Sequence, residues 1–274
     1  MSEKPDATDL EGLAGLLREV ARDEIMPRFR HTKVSAKADG SLVTEADLAV
    51  QRRLLAVCQA QYPDIPLLGE EMSAEQQQRL VGDGSSAFWC LDPLDGTSNF
   101  ACGFPGFAIS LALMRGGNAE LAIILDPVRD ECFTAAHGCG AFLNGEPIAP
   151  FAQGEMLADC LAMVDFKRLP PERIARLFGA DSFRSQRNLG SVALDWCWLA
   201  AGRFQLYLHG GQKLWDYAAG RLIADEAGVV SALLAPNGDR PLSGVGLDKR
   251  AAIAAANKGL FERWLAFIDP PLRR

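Results

Sequence analysis

The stretch Phe88-Trp89-Cys90-Leu91-Asp92-Pro93-Leu94-Asp95-Gly96-Thr97-Ser98-Asn99-Phe100 constrains this chain more than any other. Phe88 to Leu91 is an apolar, aromatic run that reads as a buried strand. It meets two carboxylates, a proline, a glycine and two hydroxyls, which read as a turn. Asp92 and Asp95 therefore leave a rigid strand end together. Pro93 fixes one φ between them and removes one backbone donor, while Gly96 lets the chain approach a ligand without a Cβ in the way. A helix starting at Ser98 would leave free N–H groups around Gly96, Thr97 and Ser98, an anion cradle beside the two acids. Acids beside an anion site repel the anion unless cations lie between them. The economical reading is a divalent-metal site for a phosphate, because Mg²⁺ takes hard oxygen ligands and commonly combines a few carboxylates with substrate phosphate oxygens.

Composition narrows the field. A chain of 274 residues buries roughly three quarters of its unfolded surface and needs no disulfide staples. The net charge of −7 argues against general nucleic-acid binding, which needs clustered Lys and Arg, so a phosphate has to be attracted locally. Seven cysteines are scattered without a CxxC spacing and read as reduced, mostly buried thiols. The polar, acidic N-terminus shows no secretory signal, and no apolar run approaches the ~20 residues of a membrane span. A cytoplasmic protein is expected.

Leu10 to Ala21 repeats at helical spacing, ended by Pro27, and serves as scaffold. A second helix runs from about Thr44 to Ala60. Thr44-x-x-Asp47 matches a capping box. A functional reading instead makes Asp47 and Lys37 an outer shell to the metals. Ile65 to Leu68 is a short strand stopped by Gly69-Glu70-Glu71. Glu70 is read as functional because neighbouring strands bring their C-terminal ends into one crevice, and Glu71 as a surface acid. Residues 73–86 read as a polar loop. Phe107 to Met114, Leu121 to Leu125 and Glu131 to Ala136 read as successive strands.

A second half opens near residue 151, with a strand at Leu161 to Val164, helices over Pro171–Phe178 and Gly190–Ala201, and a strand at Phe204 to Leu208. A helix through Ala227 follows, with Asp216 in its first turn, where the helix dipole tolerates a carboxylate. A buried strand at Ala251 to Ala256 and a helix from Gly259 to Ile268 close the chain. Asp195, inside an apolar helix, is expected to make a buried hydrogen bond or to face a partner, its role open between the two. No internal repeat is visible.

Gly69-Glu70-Glu71, Asp92-Pro-Leu-Asp95-Gly96-Thr97 and Trp215-Asp216-Tyr-Ala-Ala-Gly220, in that order, resemble the inositol monophosphatase family of Mg²⁺-dependent, lithium-sensitive phosphatases, and the resemblance runs nearly end to end. It implies an α+β fold, a layered αβαβα sandwich, as one domain over 1–274 with halves of about 1–150 and 151–274, and a homodimer. Carried over, it implies that Glu70, Asp92 and the Leu94 carbonyl hold one Mg²⁺ and that Asp92, Asp95 and Asp216 hold a second; the family uses two or three ions. Glu70 with Thr97 would orient the attacking water, and Asp95, Gly96 and Thr97 would meet the phosphate. Where the family commonly places an acid for substrate hydroxyls, seven residues before Asp216, this chain has His209, followed by Gly-Gly-Gln-Lys213. A His and a Lys there suit an anionic or nucleotide-like group better than a neutral polyol, or else mark a different surface loop. Ser191 is a further candidate for a substrate contact.

The expected activity is hydrolysis of a small phosphorylated polyol or sugar, inositol 1-phosphate by default. 3′-Phosphoadenosine 5′-phosphate, fructose 1,6-bisphosphate and histidinol phosphate are rivals within the same chemistry. A regulatory or binding protein that retains the fold is the alternative from another class. A nucleophilic Cys or Ser mechanism is disfavoured, since neither C-x₅-R nor G-x-S-x-G occurs.

Overall fold

A computed structural model describes residues 6, 9–31, 34–36, 42–82, 87–179, 182–235 and 241–269. Helix α1 (Leu10–Val20) continues as a π turn at Ala21–Ile25 and a 3₁₀ turn at Met26–Arg28. Strands β1 (Val34–Ala36) and β2 (Leu42–Thr44) pair antiparallel. Then come α2 (Glu45–Gln61), β3 (Leu67–Gly69), α3 (Ala74–Val81), β4 (Phe88–Asp95) and α4 (Thr97–Ala101). Five more strands complete the first half: β5 (Ala108–Arg115), β6 (Asn118–Asp126), β7 (Glu131–Ala136), β8 (Ala141–Leu143) and β9 (Glu146–Pro147). The second half runs β10 (Leu161–Asp165), α5 (Pro171–Leu177), β11 (Ser185–Arg187), α6 (Val192–Ala200), β12 (Leu206–Gln212), α7 (Leu214–Ala227), β13 (Val230–Leu234), β14 (Arg250–Ala255) and α8 (Lys258–Ile268).

The strands form a seven-stranded sheet in the order β3-β4-β5-β6-β7-β8-β9 and a five-stranded sheet in the order β11-β10-β12-β14-β13. Side-chain alternation sorts each sheet into two faces. In β4, Trp89 and Leu91 pack with α1 and α2, whereas Phe88 and Cys90 pack with α6 and α7. In β12, Tyr207 joins that same central cluster, while Leu206 and Leu208 face the α8 side with Trp264. The layers are therefore α1/α2, the large sheet, α6/α7, the small sheet and α5/α8, the αβαβα sandwich expected.

The middle layer requires close approach. A Cβ on Gly220 of α7 would lie 2.6 Å from the Trp196 Cβ of α6, so only glycine permits this crossing. Trp196 donates its Nε1–H to Gln212 Oε1 at 3.2 Å, and Gln212 donates to the Tyr207 hydroxyl at 2.6 Å. Trp264 donates to the Tyr207 carbonyl at 3.0 Å. Trp196, Tyr207 and Trp264 each bury the body of the ring, a gain of about 4–6 kcal/mol by area, without leaving the polar end unpaired.

Two expectations need correction. The strand does not stop at Leu91 but runs through Pro93 to Asp95. Residues 73–86 are not all loop: Ser73 and Gln76 form a reciprocal capping box that starts α3, a signal overshadowed by the polar composition. Strands β1, β2, β11 and β13 were also not anticipated. The first three have only three residues each, too few for a periodicity to register. The cysteines are free, and five of the seven are buried. Among the described residues, no helix is long and apolar enough to cross a membrane.

Candidate active site

Backbone register assembles the acidic end of the site. Strands β3 and β4 are parallel with Gly69 beside Leu91, so the next pair in register is Glu70 beside Asp92, and the Glu70 N–H donates to the Leu91 carbonyl at 3.2 Å. Between β4 and β5, Asp92 faces Ser110 and Asp95 faces Ala108, with a register shift between them. Three steps on β4 thus match two on β5. In a regular strand, residues three apart point to opposite faces. One bulged residue brings Asp92 and Asp95 to the same face, the one where Ala108 meets the middle layer. Ser110 donates to the Trp215 carbonyl at 3.3 Å, which ties the opening turn of α7, and with it Asp216, to the same place. Gly96 follows at φ +89°, and a Cβ there would sit 2.7 Å from the Gly106 carbonyl, so glycine is required at this corner.

Each aspartate is steadied through one oxygen. Asp92 Oδ1 accepts the Leu94 N–H at 3.0 Å. Asp95 Oδ2 accepts the Ser191 hydroxyl at 2.5 Å and the Ala193 N–H at 2.8 Å. Asp216 Oδ2 accepts the Lys213 N–H at 2.8 Å. Asp216 therefore caps its helix and lines the cavity as well. Asp47 behaves likewise. Its Oδ2 accepts the Thr44 N–H and hydroxyl at 2.8 and 2.5 Å, while its Oδ1 lies 3.2 Å from the Thr97 hydroxyl. The Thr97 hydroxyl also lies 3.0 Å from the Leu94 carbonyl, and its single hydrogen serves one acceptor at a time.

These acids crowd one another. Burial, then Glu70, Asp95 and Asp216, hold Asp92 well above the carboxylate range. Burial, then Asp95 and Glu70, push Asp216 up to about 8. Burial raises Asp95 to about 6, against the bonds from Ser191 and Ala193 that favour its charged form. Among the described residues, no three His, Cys, Asp or Glu side chains converge tightly enough to clasp a single ion as they stand. The donor set is nevertheless all oxygen, the chemistry Mg²⁺ selects. Asp92, Asp95 and Asp216 each commit only one carboxylate oxygen to the bonds described, so these acids fit a divalent cation that would draw them together.

The same cavity, about 310 Å³, continues to a different end formed by β10 and β12, where Asp165, Lys167, Arg168, His209, Lys213 and Lys249 line it. A second one-residue bulge lies here, between His209 and Gln212. His209 is 2% exposed. Its Nδ1 accepts the Gly211 N–H at 3.2 Å and its Nε2 faces Asp165 Oδ2 at 3.2 Å, which fixes a neutral ring with its proton on Nε2. Burial pushes its pKa down. Burial opposes charge on Asp165 too, but the His209 hydrogen bond and the Arg168 guanidinium outweigh it and hold the carboxyl at about 2.

Ser191 is a sequence candidate for a substrate contact. In the structure its buried hydroxyl serves Asp95 and accepts the Leu194 N–H at 3.4 Å, so it orients an acid. Lys37 lies outside the described residues. One contributor, Gln77, carries no sequence signal of its own, and a second, Asp195, stands out in the sequence with its role open. Gln77 of α3 donates to the Gly69 and Glu70 carbonyls at 3.0 and 3.1 Å and so braces the Glu70 turn; recognising the Ser73 capping box would have exposed it. Asp195 lines the cavity with an unpartnered buried Oδ1, and burial, then Asp95 and Asp165, push its pKa well above the usual carboxylate range. A larger cavity of about 720 Å³ lies beside α7 and the β5–β6 turn, but Glu70, Asp92, Asp95, Thr97 and Asp216 are not among its lining residues.

A glutamate and three aspartates brought to one cavity by β3, β4 and α7 is the arrangement against which known proteins can be compared. The family model described as "Inositol monophosphatase family" matches residues 8–268. The chain belongs to the inositol monophosphatase family. Its members are phosphatases. Inositol monophosphatase 1 of Solanum lycopersicum is 36% identical over 84% of this chain and 86% of its own length. Nus factor SuhB of Pasteurella multocida is also 36% identical, over 72% of this chain and 73% of its own. Among solved structures, the IMPase of Thermotoga maritima superposes with a TM-score of 0.79 at 28% identity, covering 96% of this chain and 97% of that one.

Proposed function

We propose that this member of the inositol monophosphatase family is a Mg²⁺-dependent phosphomonoesterase acting on a small phosphorylated polyol or sugar. The observation that carries the reading is the bulge in β4, which puts Asp92 and Asp95 on one face beside Glu70 and Asp216. Glu70, Asp92 and the Leu94 carbonyl would hold one ion, and Asp92, Asp95 and Asp216 a second. Bound there, divalent cations supply Lewis-acid polarisation of the phosphoryl group and a more acidic water.

The chain supplies the rest. The Thr97 hydroxyl, shared between Asp47 and the Leu94 carbonyl, and the Glu70 carboxylate orient the attacking water. The Gly96 and Thr97 N–H groups, at the turn into α4, are placed to hold phosphoryl oxygens. Asp47 keeps Thr97 in place through its own bonds to Thr44. Phosphate monoesters hydrolyse so slowly in water, with enzymatic accelerations up to ~10²¹, that extensive charge neutralisation is required. A homodimer is expected on family grounds.

The relatives named as Nus factors support a second reading, in which the fold acts by binding another macromolecule and turnover is incidental. Phosphate release from a panel of monoesters with and without Mg²⁺ tests the first reading. Asp95→Asn separates the two: lost turnover with a retained cellular phenotype favours binding, whereas loss of both favours catalysis.

A further inference from the structure

The two ends of the cavity differ in what they leave available to a ligand. At the β12 end Asp165 and His209, the two side chains there best placed to accept a polyol hydroxyl, are already engaged. Asp165 Oδ1 accepts the Lys167 N–H at 2.9 Å, and its Oδ2 takes both His209 and Arg168. Both His209 ring nitrogens are occupied inside the protein. What remains is cationic. Lys167 and Lys249 are exposed and, among the described residues, form no ion pair, while Lys213 Nζ reaches the neutral Leu247 carbonyl at 3.0 Å. The Arg168 charge is offset by Asp165. Three ammonium groups thus rim this end with no carboxylate partner among the described residues, in a chain whose net charge is −7. Ammonium groups donate but never accept, so they match an anion better than a hydroxyl.

We propose that the alcohol carrying the scissile phosphoryl group bears a second anionic group, a phosphoryl or a carboxylate, which docks on Lys167, Lys249 and Lys213 while the scissile group lies against Glu70, Asp92, Asp95 and Asp216. This deepens the phosphatase reading and rests on it. His209 is a positioning residue here: its bond keeps Asp165 on Arg168 and away from the lysines.

The test uses ester pairs that differ only in the second anion: adenosine 3′-phosphate against adenosine 3′,5′-bisphosphate for a phosphoryl, and glycerol 1-phosphate against 3-phosphoglycerate for a carboxylate. With Mg²⁺ present, at least one doubly anionic ester should exceed its partner about tenfold in kcat/KM, mainly through KM, as expected of two or more partly exposed ion pairs. The pair that shows the gap identifies the second anion. Raising the salt concentration should narrow the gap, and K167A/K249A should close it while keeping the Mg²⁺-induced rise in melting temperature. Equal or better turnover of the singly charged partners, or a gap that survives both salt and the double substitution, would overturn the inference and leave the phosphatase reading standing. Release from none of the esters would overturn both. The salt series uses the unaltered protein, so it decides between these outcomes even if the double variant fails to fold.

Discussion

Strands β4 and β12 end in the same way and deliver opposite chemistry. Each carries one extra residue against its antiparallel neighbour, between Asp92 and Asp95 in one and between His209 and Gln212 in the other. At β4 the side chains gathered are all acids, and burial together with acidic neighbours raises Asp92 and Asp216. At β12 the one acid is matched by a guanidinium and a histidine and is held at about 2. A bulge decides where side chains point. Their charge is decided by what the adjoining elements bring, Glu70 and α7 in one case and the turn after β10 in the other.

The sharpest way to break this contrast is at β4. Asp95→Asn keeps the shape but removes the charge, and phosphate release should fall by at least about 10²–10³-fold, the scale of losing one charge-stabilising group. Activity within about tenfold of wild type would mean that the acidic end is not where the chemistry occurs. Next in size is the response to metal. If burial alone holds the acids together against their mutual repulsion, Mg²⁺ at a hundred times its Kd should stabilise the fold by about 2.7 kcal/mol, roughly 5–10 °C in melting temperature for a chain of this size. Asp216→Asn should lose most of that shift.

The two ends should also tilt the pH profile in opposite directions. Asp95 at about 6 and Asp216 at about 8 stand above the ordinary 3.8. The folded, metal-free protein then binds more protons than the unfolded chain, and its stability falls as the pH rises from about 4 to 8. His209 lies below 6.5 and Asp165 at about 2, so at β12 the folded state binds fewer protons. That contribution is lost as the pH falls, through the range below 6.5 for His209 and from about 4 to 2 for Asp165. Melting curves without metal should show both limbs. Saturating Mg²⁺ should flatten the alkaline limb and leave the acid one, whereas His209→Gln should relieve only the upper part of the acid limb. The smallest effect belongs to Gln77→Ala, which removes two bonds to the Glu70 turn and should cost about 1 kcal/mol of stability and a few-fold in turnover, read as a change in kcat with little change in KM.

The acidic end was legible in the sequence because its residues sit in short, unusual strings at element ends: Gly69-Glu70-Glu71, Asp92 to Thr97, and Trp215-Asp216. The register that unites them was not, because a single bulged residue leaves no trace in hydrophobic periodicity. The strand's continuation through Pro93 was hidden for the same reason, since proline normally argues against a strand and is tolerated at a bulge. At the β12 end, His209 stood out as a departure from the family pattern, yet its burial and its bond to Asp165 depend on a strand forty residues earlier. Thr44–Asp47 was open between capping and support of the site. The structure gives Asp47 both roles through different oxygens.

The central claim is that the raised carboxylates of β4 and α7 exist to be discharged onto a divalent cation. Calorimetric titration of Mg²⁺ into the metal-free protein near pH 7.5, repeated in buffers of different ionisation enthalpy, counts the protons released on binding. Saturable binding with net proton release, abolished in Asp216→Asn, is expected. No binding at millimolar Mg²⁺, or binding that releases no proton, would contradict it.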